Sequence, residues 1–175
     1  VILHQAALAS VPRSISEPFL AHDINLTGTL NLLQVAVKAG VKSFVLASSS
    51  AVYGDDLVFP KQEGSEGKPL SPYAAQKLAS EKYCQVFSYL HNFNAVCLRY
   101  FNVFGPRQDP DSQYAAVIPI FIRRMLAGQA PVIFGDGQQT RDFIYVGNVV
   151  KANLLAAQAS HFRGDAFNIG SSERI

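Results

Sequence analysis

A tyrosine and a lysine stand four residues apart in the segment SPYAAQKLASEKY, residues 71–83. That spacing is about one helical turn, so Tyr73 and Lys77 leave a helix from the same face. A free phenol has a pKa of about 10 and is a poor base at neutral pH. A fixed ammonium beside it stabilises the phenolate, and lowering the pKa by about three units takes about 4 kcal/mol of preferential stabilisation. One lysine in a partly dry site supplies much of that, and a cationic cofactor ring supplies the rest. The pair therefore suits removal of a proton from a hydroxyl. Alone, the spacing reads as readily as a solvated helix face. Its weight rises because an apolar run about two dozen residues earlier ends in Ser48-Ser49-Ser50. A hydroxyl there can hold the same substrate oxygen.

The elements that must position these groups are written in the hydrophobic pattern. Ser71-Pro72 is a strong helix start, since serine caps free amides and proline suits the first helical position. The spacing predicts a helix over 72–91, with Ala75, Leu78, Ala79, Val86 and Leu90 as a stripe that can be packed. VILHQA reads as the end of a buried strand, and residues 16–39 as a helix with apolar residues at Ile24, Leu30, Leu33 and Val37, stopped by Gly40. KSFVLASS (42–49) is a continuous apolar strand, and AVCLRYFNVFG (95–105) another. A helix over 113–127, a VIF strand (132–134), a GDG turn, a DFIYV strand (142–146), a helix over 149–158 and a strand AFNIG (166–170) follow. Continuous apolar strands alternating with amphipathic helices predict an α/β fold, a doubly wound, Rossmann-like parallel sheet. Ligands bind such sheets at the carboxyl ends of strands, and HQAA, SSSAVYG and RYFNVFG each close one.

Composition narrows the classes of function. The 175 residues, 49% hydrophobic and 16% charged, suffice for a folded core. A net charge of +2 gives no reason to expect nucleic acid or an acidic membrane surface as partner. The longest apolar run, AAVIPIFI at 115–122, is far short of the roughly twenty residues of a membrane span. VILHQAALASVPRS lacks the basic start and long apolar stretch of a secretion signal. Cys84 and Cys97 sit among apolar neighbours and read as buried free thiols, which suits a reducing, cytoplasmic setting. His4, His22, His91 and His161 are scattered without ligand spacing, so no metal site is expected. No GxxGxxG turn occurs, and the chain opens inside a strand and stops just after another. It reads as an internal fragment, inactive by itself.

Four segments in order, ASSSAVYGD, SPYAAQK, LRYFNVFGPRQ and GDGQQTRDFIYV, resemble the extended short-chain dehydrogenase/reductase family, and within it the NAD-dependent nucleotide-sugar 4-epimerases. HQAALASVPRSI and DPDSQYAAVIPIF look most like the bacterial UDP-N-acetylglucosamine branch. The resemblance covers essentially the whole chain. It implies a partial NAD-binding Rossmann domain over 1–101, part of a substrate-binding region over 102–140, a return to the Rossmann domain over 141–165, and the start of a further substrate region over 166–175.

The resemblance also implies roles. Tyr73 is the base, Lys77 holds the cofactor ribose and depresses the phenol pKa, and Ser49 assists, with Ser50 as a second contact. Along NAD lie Ala6 and Ala7 by their backbone, Asn25, Ser48, Tyr100 and Phe101. Ser48 reads also as a strand-end serine satisfying local amides, Asn25 as a helix amide bonded to a loop, and the two aromatics as core. Asn102 and Arg141 hold the substrate diphosphate, where a planar guanidinium suits phosphate oxygens. Ala116 and Val117 line the uridine. An arginine beside Asp142 is otherwise a surface ion pair, and Val117 a helix-core residue. The implied reaction is NAD-dependent 4-epimerisation of a UDP-hexose of the N-acetylglucosamine or glucose type through a transient 4-keto sugar.

Related chemistries diverge after the same oxidation. Dehydratases of the family usually carry Asp-Glu after the assisting hydroxyl, whereas Ser50 and Ala51 stand here; UDP-glucuronate decarboxylation stays open. A different class is hinted at by the S-x-x-K match at Ser65 and Lys68, but no KTG follows. A non-catalytic NAD-sensing role is a further alternative. The helices over 16–39 and 72–91 resemble those that pair across a two-fold axis in the family, which implies a homodimer.

Overall fold

The continuous apolar runs become the central strands of the structure, a computed structural model that describes residues 1–65, 67–109 and 117–175. Phe44–Ser49 (β2) and Ala95–Tyr100 (β3) are buried along all but their last residue, as a strand covered on both faces must be. Ile2–His4 (β1) flanks β2 and Arg163–Ile169 (β6) flanks β3, giving the order β1-β2-β3-β6 with every pair parallel. Successive side chains point to opposite faces. Phe44, Leu46, Ala95 and Cys97 pack on Leu33 and Ala36 of Gly28–Lys38 (α3) and Cys84 of Pro72–His91 (α4). Val45, Val96 and Leu98 pack on Ala156 of Val146–Gln158 (α6) on the other side. Helices on both faces make the sheet doubly wound, with the Rossmann-like layering that the alternation predicts.

The helix expected over 16–39 is broken. Glu17 leaves helical geometry (φ −130°, ψ 61°) between Val11–Ser16 (α1) and Pro18–His22 (α2), because Pro18 cannot continue a helix but can begin one. A single π-helical turn, Asp23–Thr27, then joins α2 to α3. Gly40, at φ +63°, turns the chain away after α3 as predicted.

The helix expected over 72–91 is present as α4, its first amides capped by Ser71, whose Oγ accepts from the Ala74 amide at 3.2 Å. Its packed face is not the apolar stripe. Ala75, Val86 and Leu90 are exposed, Leu78 and Ala79 are half-buried, and the sheet side carries Lys77, Ser80, Glu81, Cys84 and Ser88. The reason lies opposite, on β3. Arg99 donates to Glu81 through Nη2 to Oε2 at 2.7 Å and through Nε to Oε1 at 3.0 Å, with both side chains only 1% exposed. Ser48, the register partner of Arg99 on β2, points to the same face and donates its hydroxyl to Glu81 Oε1. A bidentate, shared carboxylate of this kind is tolerated in a core because every partner is satisfied.

Beyond β3 the single strand expected over 95–105 divides. The Phe101 amide bonds to the Ile169 carbonyl at 3.1 Å, and Asn102–Phe104 (β4) pairs in parallel with Phe143–Tyr145 (β5) in a separate two-stranded sheet. β5 thus lies with β4, and β6 runs through residue 166 as part of the main sheet. Val117–Leu126 (α5) is the described part of the helix expected over 113–127. Val132, Ile133 and Phe134 form no strand; among the described residues none pairs with them, and all three are exposed. Among the described residues no helix is long and apolar enough to cross a membrane.

Arg99→Met strands a buried carboxylate, and urea unfolding of the whole protein is expected to show a loss of about 3–5 kcal/mol. Glu81→Leu combined with Arg99→Met recovers most of it. A double variant as unstable as the single one would mean that the charges contribute nothing beyond packing.

Candidate active site

Tyr73, the second residue of α4, is held from both ends. Its amide donates to Ser14 Oγ at 3.1 Å, and Ser14, buried on α1, donates in turn to the Val11 carbonyl at 2.7 Å. One turn on, Lys77 is 5% exposed and its Nζ donates to the Ala47 carbonyl at 2.8 Å, 5.8 Å from the centre of the Tyr73 ring. Ser49, at the carboxyl end of β2, accepts from the Ala51 amide at 3.2 Å and so starts the 3-10 turn Ser50–Tyr53. Its hydroxyl also stands near enough to the Tyr73 phenol to draw that pKa down. Helix, strand end and turn therefore bring Ser49, Tyr73 and Lys77 together, with the half-buried Ser50 next to them.

The electrostatics differ from the expectation that Lys77 depresses the phenol. Burial pushes Tyr73 above its ordinary 10, and Ser49 is the group that opposes this. Lys77 is itself pushed down to about 8 by burial, against the pull of Glu81. At that value Lys77 is still mostly an ammonium at neutral pH, but its Nζ is committed to a main-chain carbonyl and lies 5.8 Å from the phenol ring, and burial of the phenol outweighs it. The protein brings base and cation together, but the phenol here is a neutral acid.

Asn25, placed by the π turn, accepts from the Leu8 amide at 2.7 Å and donates to the Leu8 carbonyl at 3.2 Å and to Gln76 Oε1 at 2.9 Å. It thereby ties the segment after Ala6 and Ala7 to α4, as an amide bonded to a loop. The Asn25 carbonyl takes the Thr29 hydroxyl proton at 2.6 Å, so His4 Nε2 is the donor in its 2.9 Å bond to Thr29. Burial, then the Lys77 charge, hold His4 below the usual imidazole range. Ala6 is exposed and Ala7 half-buried, which leaves the main chain beyond β1 open to close approach. Ser48 does not face this site. Its hydroxyl is spent on Glu81 inside the core, which corrects its expected place along a cofactor.

Tyr100 ends β3 and is half-buried; its hydroxyl joins Gln5 Oε1 at 3.1 Å and Asn153 Nδ2 at 2.7 Å, bridging from β1 to α6 across β2. Phe101 lies 6.5 Å from the Tyr53 ring. Neither aromatic is fully core. The amides Gln5, Gln76 and Asn153, the hydroxyls Ser14 and Thr29 and the imidazole of His4 were not picked out as site residues from sequence. Only the HQAA motif gave any signal for them.

A second group lies on the small sheet. Asn102, half-buried in β4, donates its amide and its Nδ2 to the Asp142 carbonyl, each at 3.0 Å. Arg141 is exposed, with Nη1 on the Thr140 carbonyl at 2.8 Å. It does not pair with Asp142, whose carboxylate instead accepts from the Ser171 and Ser172 amides. Val117, in α5, is 40% exposed, so it is not core, and Ala116 lies outside the described residues. Ser65 donates to the Gln62 carbonyl at 2.7 Å in an exposed turn, which disarms the S-x-x-K match. No group of three or more His, Cys, Asp or Glu side chains that could hold a metal occurs among the described residues, and Cys84 and Cys97 are buried and free.

The family model described as the NAD dependent epimerase/dehydratase family matches residues 1–170, and the chain belongs to that family. A UDP-N-acetylglucosamine 4-epimerase from Methanobrevibacter ruminantium, solved with UDP-N-acetylmuramic acid, is 45% identical with a TM-score of 0.95 over 99% of this chain and 55% of its own. The UDP-glucose 4-epimerase of Thermus thermophilus, solved with NAD, is 40% identical with a TM-score of 0.87 over 99% of this chain and 57% of its own. The UDP-glucose 4-epimerase of Mycolicibacterium smegmatis is 40% identical over 98% of this chain and 54% of its own. The chain thus spans about half the length of the relatives it matches.

Asn25→Ala leaves the Leu8 amide and the Gln76 amide oxygen without their partner in a buried place. At about 1–3 kcal/mol per stranded group, the whole protein is expected to lose at least about 2 kcal/mol in urea, and the Leu8 amide its protection from hydrogen exchange. Unchanged protection at Leu8 would mean that Asn25 does not hold this segment.

Proposed function

We propose that the whole protein is an NAD-dependent UDP-hexose 4-epimerase in which Tyr73 is the base. The observation that carries this reading is the meeting of Ser49, Tyr73 and Lys77 at the carboxyl end of β2, inside a chain of this family. The residues present suit the cofactor: an open main chain at Ala6 and Ala7 allows a flat ring and its phosphates to approach, and the hydroxyl of Tyr73 and the ammonium of Lys77 suit a ribose diol. NAD, when bound, would supply the hydride acceptor and donor for C4 of the sugar and a positive charge beside the phenol.

The chain's own residues do the rest. Ser49 holds the sugar 4-oxygen while Tyr73 Oη takes its proton, and Tyr73 returns the proton once the keto sugar has turned over. Lys77, anchored to the Ala47 carbonyl, fixes the ribose and thus the distance between ring and phenol. Asn102 and Arg141 hold the diphosphate, Arg141 with its planar set of donors. Val117, with Ala116 beside it in sequence, lines the uridine. Ser50 and Ala51 offer no acid and base for elimination, which argues against dehydration. The exposed apolar side chains of α2, α3 and α4, among them Phe19, Val35, Val86 and Tyr89, suit a homodimer contact with a second copy.

The test is product analysis of the whole protein with UDP-glucose and UDP-N-acetylglucosamine. Epimerisation at C4 of at least one is expected, with Tyr73→Phe lowering turnover by orders of magnitude and changing sugar-nucleotide affinity only a few-fold. Near-normal turnover by Tyr73→Phe, or loss of water in place of an epimer, or turnover only of UDP-glucuronate with release of carbon dioxide, would overturn the reading.

A further inference from the structure

The two proposed diphosphate ligands, Asn102 and Arg141, converge on one residue, Asp142. We infer that Asp142 is the positioning residue of the diphosphate site, fixing Asn102 and Arg141 on the main sheet; this rests on the functional reading above. The Asp142 main chain serves Asn102: its carbonyl receives both the amide and the Nδ2 of that residue at 3.0 Å. Its carboxylate serves the turn after β6. Oδ1 accepts from the Ser171 amide at 2.8 Å and the Ser171 hydroxyl at 2.9 Å, and Oδ2 from the Ser172 amide at 3.0 Å. Arg141, the residue before, is tied to the same returning segment by a pair of main-chain bonds with Ile175, at 2.7 and 3.0 Å.

The result is a clasp. β4 carries Asn102, the strand β5 begins just after Arg141 and Asp142, and both belong to a two-stranded sheet with no shared ladder to the main one. The turn at 170–172 extends directly from β6 of the main sheet. Beside the Arg141–Ile175 pair and the Phe101–Ile169 bond, the Asp142 carboxylate joins them by three charge-assisted bonds. Gly170 makes room for it: a methyl group there would stand 2.6 Å from Oδ2. Among the described residues Arg141 uses one of its five N–H groups on Thr140, and the others suit a ligand. With the backbone of Arg141 and the side chain of Asn102 both referred to Asp142, their separation is set before substrate arrives, which is what oriented recognition of two adjoining phosphates needs.

A role limited to stability would weaken every ligand alike, whereas the clasp acts on the diphosphate. Calorimetry on the whole protein with UDP and, separately, with NAD reads the difference. Asp142→Ala is expected to weaken UDP binding about tenfold or more and NAD binding less than about twofold. Asp142→Asn, which keeps one acceptor oxygen, falls between. Should Asp142→Ala not fold, Ser171→Ala and Gly170→Ala are expected to show the same split at smaller size. Unchanged UDP affinity in these variants, or equal losses for UDP and NAD, would overturn the clasp alone. Failure of the unsubstituted protein to bind UDP at all would overturn both the clasp and the functional reading.

Discussion

A buried carboxylate shared between a helix and two strands holds the candidate site in shape. Glu81 meets Arg99 of β3 in two bonds and Ser48 of β2 in a third, and it lies one turn beyond Lys77 and two beyond Tyr73 on the same helix. Replacing those bonds by a slide of α4 along the sheet would leave a bare charge in the core, a cost of several kcal/mol. The helix therefore has one register on the sheet. That register carries Lys77 to the Ala47 carbonyl and Tyr73 to the hydroxyl of Ser49. Apolar packing alone would not impose it, since the outward stripe of α4 touches solvent and its inward side is mostly polar or small.

Position and charge are supplied separately. The fold sets where the phenol, the ammonium and the serine stand, yet burial leaves Tyr73 a weaker acid than free tyrosine and Lys77 a weaker base than free lysine. Both shifts have the same leading cause, the withdrawal of water, which leaves Tyr73 neutral near pH 7 while Lys77 stays mostly protonated. A cationic ring placed between strand ends and α4 would act in the same low-dielectric space, where a single charge has several times its effect in water. In this account the site is switched on by its cofactor.

Much of this was open to inspection in the sequence, for physical reasons that differ from residue to residue. β2 and β3 announce themselves because strands buried on both faces must be continuously apolar, and Ser71-Pro72 because a helix start has few alternatives. The Tyr73–Lys77 spacing carries its own geometry. Glu81 and Arg99 gave no such sign: they lie 18 residues apart, and a charge on an amphipathic helix ordinarily means solvent. The same rule misassigned the faces of α4. Residues 132–134 have the composition of a strand and lack a described neighbour to pair with, which no local pattern reveals. Ser14 and Gln76 act through main-chain atoms and amides brought close only by the break at Pro18 and the π turn at 23–27.

The most direct measurement is the ultraviolet titration of the Tyr73 phenolate, taken as the difference between the whole protein and its Tyr73→Phe variant, with and without saturating NAD. Without cofactor the phenolate is expected to form only above pH 10, in line with the direction imposed by burial, and with cofactor the transition is expected to move well below that. A transition at the same pH in both states, or one already near neutrality without cofactor, would contradict an active site positioned by the protein and charged by what it binds.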